Sequence, residues 1–290
     1  NVDNSDKDVE TYMAYMKYAG ILGGNLSITY AGQIDRCGSG TGALCTADNL
    51  TNDAHTIGAR QAGQLYGIDY RGEYYYQFGE AQQDASAGLA NGGVTSGVGV
   101  DRDAYMFGVR IGKSFKNVNM KPSLTVWYDY LSGTDDSDLT ASSAKWKSFN
   151  PVYDTGHKFY GLQDLFLGVG TGSSTNGTAG LGLQDLAIKA KMSPAPGWTL
   201  KADYHWFWTA ASANANNARA VNGRSATGRN EQQAHTGVSN AIGNEIDLSL
   251  SNKYNANTTI TAGFSNYSTT QLFRNLRAVP GGGANWAYLQ

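Results

Sequence analysis

Residues 197–210 read "GWTLKADYHWFWTA" and alternate without a break. Trp198, Leu200, Ala202, Tyr204, Trp206 and Trp208 fall on one side, and Thr199, Lys201, Asp203, His205 and Phe207 on the other. Successive side chains of a β-strand point to opposite faces, so the stretch predicts a strand with one apolar and one polar face. Which face looks outward decides the fold. In a water-soluble sandwich the tryptophans form the core. In a membrane barrel they meet lipid, and Lys201, Asp203 and His205 look inward.

The same period recurs along the chain, at 10–18, 25–35, 55–67, 68–79, 104–115, 121–131, 183–192, 198–208, 244–254, 258–267 and 285–290. Each segment is near the length that crosses a bilayer as a tilted strand. The connections alternate in kind. Short ones, such as "KNVNM" (116–120), "SPAPG" (193–197) and "NANT" (255–258), alternate with long ones at 36–54, 80–103, 132–182, 209–243 and 268–284. Short turns at one end and long loops at the other are the wiring of an outer-membrane barrel, whereas a compact soluble domain has little use for several structureless connections above about 15 residues.

Composition agrees. Only 16% of the residues are charged, and 18 tyrosines and 37 glycines stand against five prolines, a balance suited to strands joined by polar, glycine-rich loops. A net charge of −2 gives no electrostatic footprint for nucleic acid. No apolar run is long enough for a transmembrane helix, but a membrane strand needs only about 10 alternating residues. The first residues, "NVDNSDKDVE", hold neither an initiator Met nor a signal core, which points to a processed chain or part of a longer one. Cys37 and Cys45 bracket the tight loop "CGSGTGALC". A disulfide there implies an oxidising compartment; two free thiols are the alternative.

With long loops outside, the polar faces point into the barrel. The inward set is Arg60, Arg71, Glu73, Arg110, Asp129, Asp185, Lys189, Lys201, Asp203, His205, Glu245 and Asp247, read as pore-lining, and Tyr and Trp near strand ends supply interfacial girdles. The count of eleven strands is odd, whereas single-chain bacterial barrels have an even number, so at least one strand is expected before Asn1. The expected fold is therefore an all-β transmembrane antiparallel barrel over 1–290, of which this chain holds about 11–12 strands. Residues 157–169, "HKFYGLQDLFLGV", break the up–down parity if counted as a strand. They belong instead to a large excursion, 132–182, extracellular or folded over or into the lumen.

Other motifs carry less. "GVRIGKS" (108–114) has three residues between its glycines where a phosphate loop needs four, and it lies inside an alternating strand. Asp203 and His205 share a face beside Lys201, but no serine or second histidine at a useful spacing makes them a hydrolytic pair, so a polar ladder is the reading and no catalysis is expected. The acidic clusters "DRD" (101–103) and "GTDDSD" (133–138) match no EF-hand loop and read as solvated acids; no metal or cofactor is implied. Arg219, Arg224, Arg229, Arg274 and Arg277 occupy the last two long loops, where they either attract anions at the mouth or contact lipid phosphates.

Four phrases in order resemble one family. "HTIGARQAGQLYGIDYRGEYYYQFGE" (55–80), "NVNMKPSLTVWYDYLSGTDDSD" (117–138), "FNPVYDTGHKFYGLQDLFLG" (149–168) and "GNEIDLSLSNKYNANTTITAGFSNY" (243–267) are similar to segments of the alginate-export family of outer-membrane barrels. The resemblance implies a porin-like barrel of about 18 strands, with about seven of them outside this sequence, and a lumen suited to an anionic polysaccharide. The family's characterised exporter has a dense arginine belt; here Arg60, Arg71 and Arg110 are interleaved with Glu73, Asp129, Asp203 and Asp247. The functional expectation is an outer-membrane channel for small polar or anionic solutes or polysaccharide, in contact with lipid and lipopolysaccharide. The alternative is a structural or adhesive barrel, plugged by 132–182, that meets a periplasmic or surface protein partner.

Overall fold

The computed structural model describes residues 9–35, 52–82, 99–135, 138, 145–151, 155–169, 177–178, 180–212, 239–277 and 281–290. One antiparallel sheet runs through them. Its strands are β1 (Val9–Ile21), β2 (Gly24–Asp35), β3 (Asn52–Leu65), β4 (Ile68–Gln82), β5 (Gly99–Ser114) and β6 (Ser123–Leu131), then β8 (Leu183–Met192), β9 (Trp198–Trp208), β10 (Ala241–Lys253), β11 (Thr259–Thr269) and β12 (Ala284–Leu289). Each pairs with its sequence neighbour, and a two-residue strand, β7 (Lys145–Trp146), adds in parallel to the far end of β5. Among the described residues β1 and β12 pair on one side only, so the sheet is not closed. Cys37 and Cys45 lie outside the described residues, as do Arg219, Arg224 and Arg229.

All connections shorter than ten residues lie at one end of the sheet. The two tightest turns, Leu22–Gly23 and Tyr66–Gly67, have positive φ at both positions (48° and 67°, 51° and 75°), the backbone that matches the twist of paired strands. The second position of each is glycine, which adopts that conformation without cost.

The apolar face is open. Val109 is 45% exposed, Leu124 49%, Leu248 41% and Phe264 43%, and Trp198 on the same face is 39% exposed. A soluble sandwich would bury this face; a contiguous apolar surface of such extent belongs against lipid. Aromatic side chains band it at two heights. Near the short turns stand Tyr18, Tyr66 and Tyr254. Toward the long loops, rings stack across strands: His55 on Phe78 at 5.4 Å, Tyr105 on Tyr130 at 5.7 Å and Phe107 on Tyr130 at 5.2 Å. Ten residues separate Tyr66 from Tyr76. At about 2.5 Å of depth per residue of tilted strand, that spacing is about 25 Å, the height of an outer-membrane apolar band.

The buried core lies on the other face, at its long-loop end. Leu131, Leu183, Phe207 and Tyr267 project there from the strands. Phe149, Phe166, Val169 and Leu181 from the 132–182 connection cover them, with Leu272, Phe273 and Leu276 of a short helix, α1 (Gln271–Arg277). Ring centroids of Phe166 and Phe207 are 4.8 Å apart, and those of Tyr267 and Phe273 4.9 Å. Aromatic pairs of this kind contribute about 0.5–1.5 kcal/mol each beyond area burial.

Candidate functional site

Register places all twelve charged positions singled out from the sequence on this second face. Arg60 pairs with Glu73, Arg71 with Arg110, Asp129 with Asp185, Lys189 with Asp203, His205 with Glu245 and Asp203 with Asp247. Three of those couples set like charges directly opposite each other, which is unfavourable unless counter-charges intervene. They do. The Arg71 guanidinium lies 2.5 Å from Glu73, and that of Arg110 lies 3.2 Å from Asp129 and 3.5 Å from Glu73. Across β8 and β9, His205 Nδ1 is 2.9 Å from Asp185, its Nε2 is 3.1 Å from Lys189 Nζ, and Lys189 donates to Asp203 at 2.8 Å. Gly108 separates the first set: a Cβ there would stand 2.5 Å from the Asp129 carboxylate and 3.1 Å from that of Glu73, so only glycine leaves both in place.

Over this face lies the segment 155–169, an irregular stretch with left-handed residues at His157, Tyr160, Gly161 and Asp164. Irregular backbone at membrane depth is tolerated only where protein or lumenal water satisfies its N–H groups. Here the strand carboxylates do so. Gln163 N donates to Glu245 at 3.0 Å, and Leu162 N to Asp247 at 3.3 Å. Gln163 Nε2 donates to Ser265 Oγ and to the Ala284 carbonyl, both at 3.1 Å. His157 stacks on Trp286 at 4.8 Å, and Phe159 meets Trp127 edge-on at 5.8 Å. Just upstream, the fully buried Gln77 both donates to the Asn150 carbonyl (2.9 Å) and accepts from Asn150 N (3.1 Å).

These contacts also fix the sheet's curvature. Asn150 meets β4 and His157 meets β12, seven inter-strand steps apart in the sheet. In a flat sheet that is about 34 Å, whereas the chain between the two residues extends at most about 25 Å. The sheet therefore curls, with its polar face concave around the segment.

Depth sorts the charges. Glu73, Asp129, Asp185, Glu245 and Asp247 are all buried. Lys17, Arg60, Lys191 and Lys201 are exposed, and Lys191 stands directly opposite Lys201. The buried carboxylates are thus mixed with Arg71, Arg110, Lys189 and His205, whereas the open half nearer the short turns has an excess of cations, with Asp69 as an inward acid among them. Lys191 escaped the sequence reading, although its place two residues after Lys189 assigns it to the same face. Trp127 and Tyr75 also face inward. Their parity in the alternating strands carries that signal.

One acid of each acidic cluster pairs with a lysine: Asp103 is 2.8 Å from Lys145 and Asp138 is 2.5 Å from Lys147. Of the loop arginines, Arg277 is turned inward beneath the cap. It donates to the carbonyls of Leu165 and Gly177, and its guanidinium lies 4.5 Å from the Phe273 ring. Burial pulls that guanidinium down to about 10, so it keeps its charge at neutral pH. "GVRIGKS" lies wholly within β5 and forms no loop.

A family model described as alginate export matches residues 1–277, nearly the whole chain. No curated protein matches it.

Proposed function

The chain belongs to the alginate export family, an outer-membrane transport family, and from that premise we propose that its concave polar face is the wall of a channel for polar, carbohydrate-type solutes. Segment 155–169 is the constriction of this channel. The observation that carries the reading is the sorting of charge by depth. Buried carboxylates hold the segment and pair with Arg71, Arg110, Lys189 and His205, while the open half carries more cations than acids. A like-charged couple such as Lys191 and Lys201 weakens a sheet. It makes sense where a positive potential is needed, because inward cations raise the local concentration of anions and favour their passage.

Cysteine substitution tests this on the full-length protein with Cys37 and Cys45 replaced by serine. A cysteine at Lys201, treated with a negatively charged thiol reagent from the short-turn side during bilayer recording, reduces the current. One at Leu200, on the opposite face, leaves it unchanged. Equal responses at the two positions, or none at Lys201, sink the proposal.

The plugged structural barrel draws on the same segment, whose flanks are anchored in the apolar cap through Phe149, Phe166 and Val169. In that reading the protein passes no current until 155–169 is removed.

A further inference from the structure

One inward row crosses five strands just beyond the segment, on the side of the short turns. Lys191 stands opposite Lys201, Lys201 opposite Ser249, Ser249 opposite Gly263 and Gly263 opposite Tyr288. Gly263 leaves a gap that the Tyr288 ring covers: a Cβ there would strike Cε1, Cζ and Cδ1 of that ring. The ring is thus carried off its own strand, β12, across β11 and toward Ser249. It also ends a strip of rings that begins on the segment. His157 stacks on Trp286 at 4.8 Å, and Trp286 meets Tyr288 at 4.7 Å. Lys191 and Lys201 are exposed, and Ser249, Trp286 and Tyr288 are half-buried, so the row is open to a ligand along its length.

The two ends of the row differ in chemistry. At one end two ammonium groups stand on directly opposed positions, an arrangement that an anion between them relieves. At the other an aromatic ring offers an apolar surface that suits C–H groups. Ser249, between them, has a hydroxyl that both donates and accepts. From the Tyr288 ring to the backbone of Lys201 is about two strand spacings, or about 10 Å. A single pyranose over Ser249 fills that width, with its C–H face toward Tyr288 and a carboxylate toward the flexible lysine stems. A small inorganic anion would use the lysines alone, and a neutral sugar only the ring and the hydroxyl.

We propose that this row is a binding subsite for one uronate unit of an acidic polysaccharide, with Tyr288 as its stacking residue and Lys191 and Lys201 as its carboxylate clamp. The assignment rests on reading the polar face as a solute path. The family supplies the class of substrate; the row supplies the place and the stacking residue, which lies beyond the residues 1–277 matched by the family model. Because the strip of rings begins on the segment, a unit held at Tyr288 is held beside the constriction.

Titration calorimetry of the full-length protein, in a detergent without a sugar headgroup, tests it with trimannuronate and, as the neutral counterpart, mannotriose. Trimannuronate gives a saturable signal and binds about tenfold more tightly than mannotriose, as two exposed charge pairs allow. Lys191→Met with Lys201→Met removes that preference and flattens the salt dependence of binding. Tyr288→Leu covers the same glycine without an aromatic face; it weakens trimannuronate about fivefold at unchanged salt dependence, while Tyr288→Phe stays within about twofold of the parent. Tyr288→Leu binding as tightly as the parent overturns the proposal, because the ring would then only cover Gly263. So do equal binding of the two trisaccharides, a preference that survives loss of both lysines, and absence of saturation in protein shown to be folded. The two readings fail separately: Tyr288-dependent binding by a protein that conducts nothing even without 155–169 removes the channel and leaves the subsite, while conductance without such binding does the reverse.

Discussion

Gly161 shows at the scale of one residue how tightly the segment is seated. Its φ of +86° is one that side chains resist, and a Cβ there would run into the Glu245 carboxylate. Gly161→Val therefore lifts the segment from β10, and trypsin, which cuts after Lys158, should cleave the variant roughly tenfold faster than the parent, because cleavage requires local undocking. Unchanged cleavage would mean that the Glu245 contact does not hold the segment. The exposed lysines carry a different expectation. Lys191→Glu with Lys201→Glu reverses the charge of the open half, and the reversal potential in a salt gradient should move toward cation preference. Among the described residues neither side chain has an ion-pair partner whose loss would confuse the result, whereas Arg110 could not be changed without stranding Asp129.

At the scale of the element, strand alternation was legible in the sequence because a half-exposed strand must obey it. The eleven alternating segments correspond to β1–β6 and β8–β12, with shifted ends: β4 continues to Gln82 and β5 begins at Gly99, where polar residues hide the period. The pattern carries an energetic consequence. Leu248→Arg, on the apolar face midway along β10, should destabilise the protein by about 2–4 kcal/mol, while Ser249→Arg on the polar face should cost far less. Unfolding in urea from lipid vesicles measures the difference. What had no period was not legible. The short helix α1 and the path of 155–169 depend on contacts with distant strands, such as Phe273 with Tyr267 and Gln163 with Ser265. Which carboxylates end up covered follows from that path, so the cation excess of the open half was hidden even though each inward position was readable from parity. In the cap, Phe273→Ala should cost about 3 kcal/mol in the same assay, since its ring is buried against Phe166 and Tyr267.

Taken whole, the molecule is a curved sheet with lipid-compatible aromatics outside, a row of paired charges on its concave face, and one irregular segment lying across the concavity. The order of dependence is physical. The apolar face commits the sheet to a membrane, the polar face is left on the concave side, and strand carboxylates there bind the backbone of 155–169. In the proposed channel the segment then sets the width of whatever path remains. Single-channel recording of the full-length protein beside a variant with 155–169 replaced by a short Gly-Ser linker tests this most directly. The variant should conduct at least about threefold more current than the parent, with anion preference kept by the open lysines and Arg60. Equal conductance in the two proteins would contradict the account, because the segment would then not lie in the path.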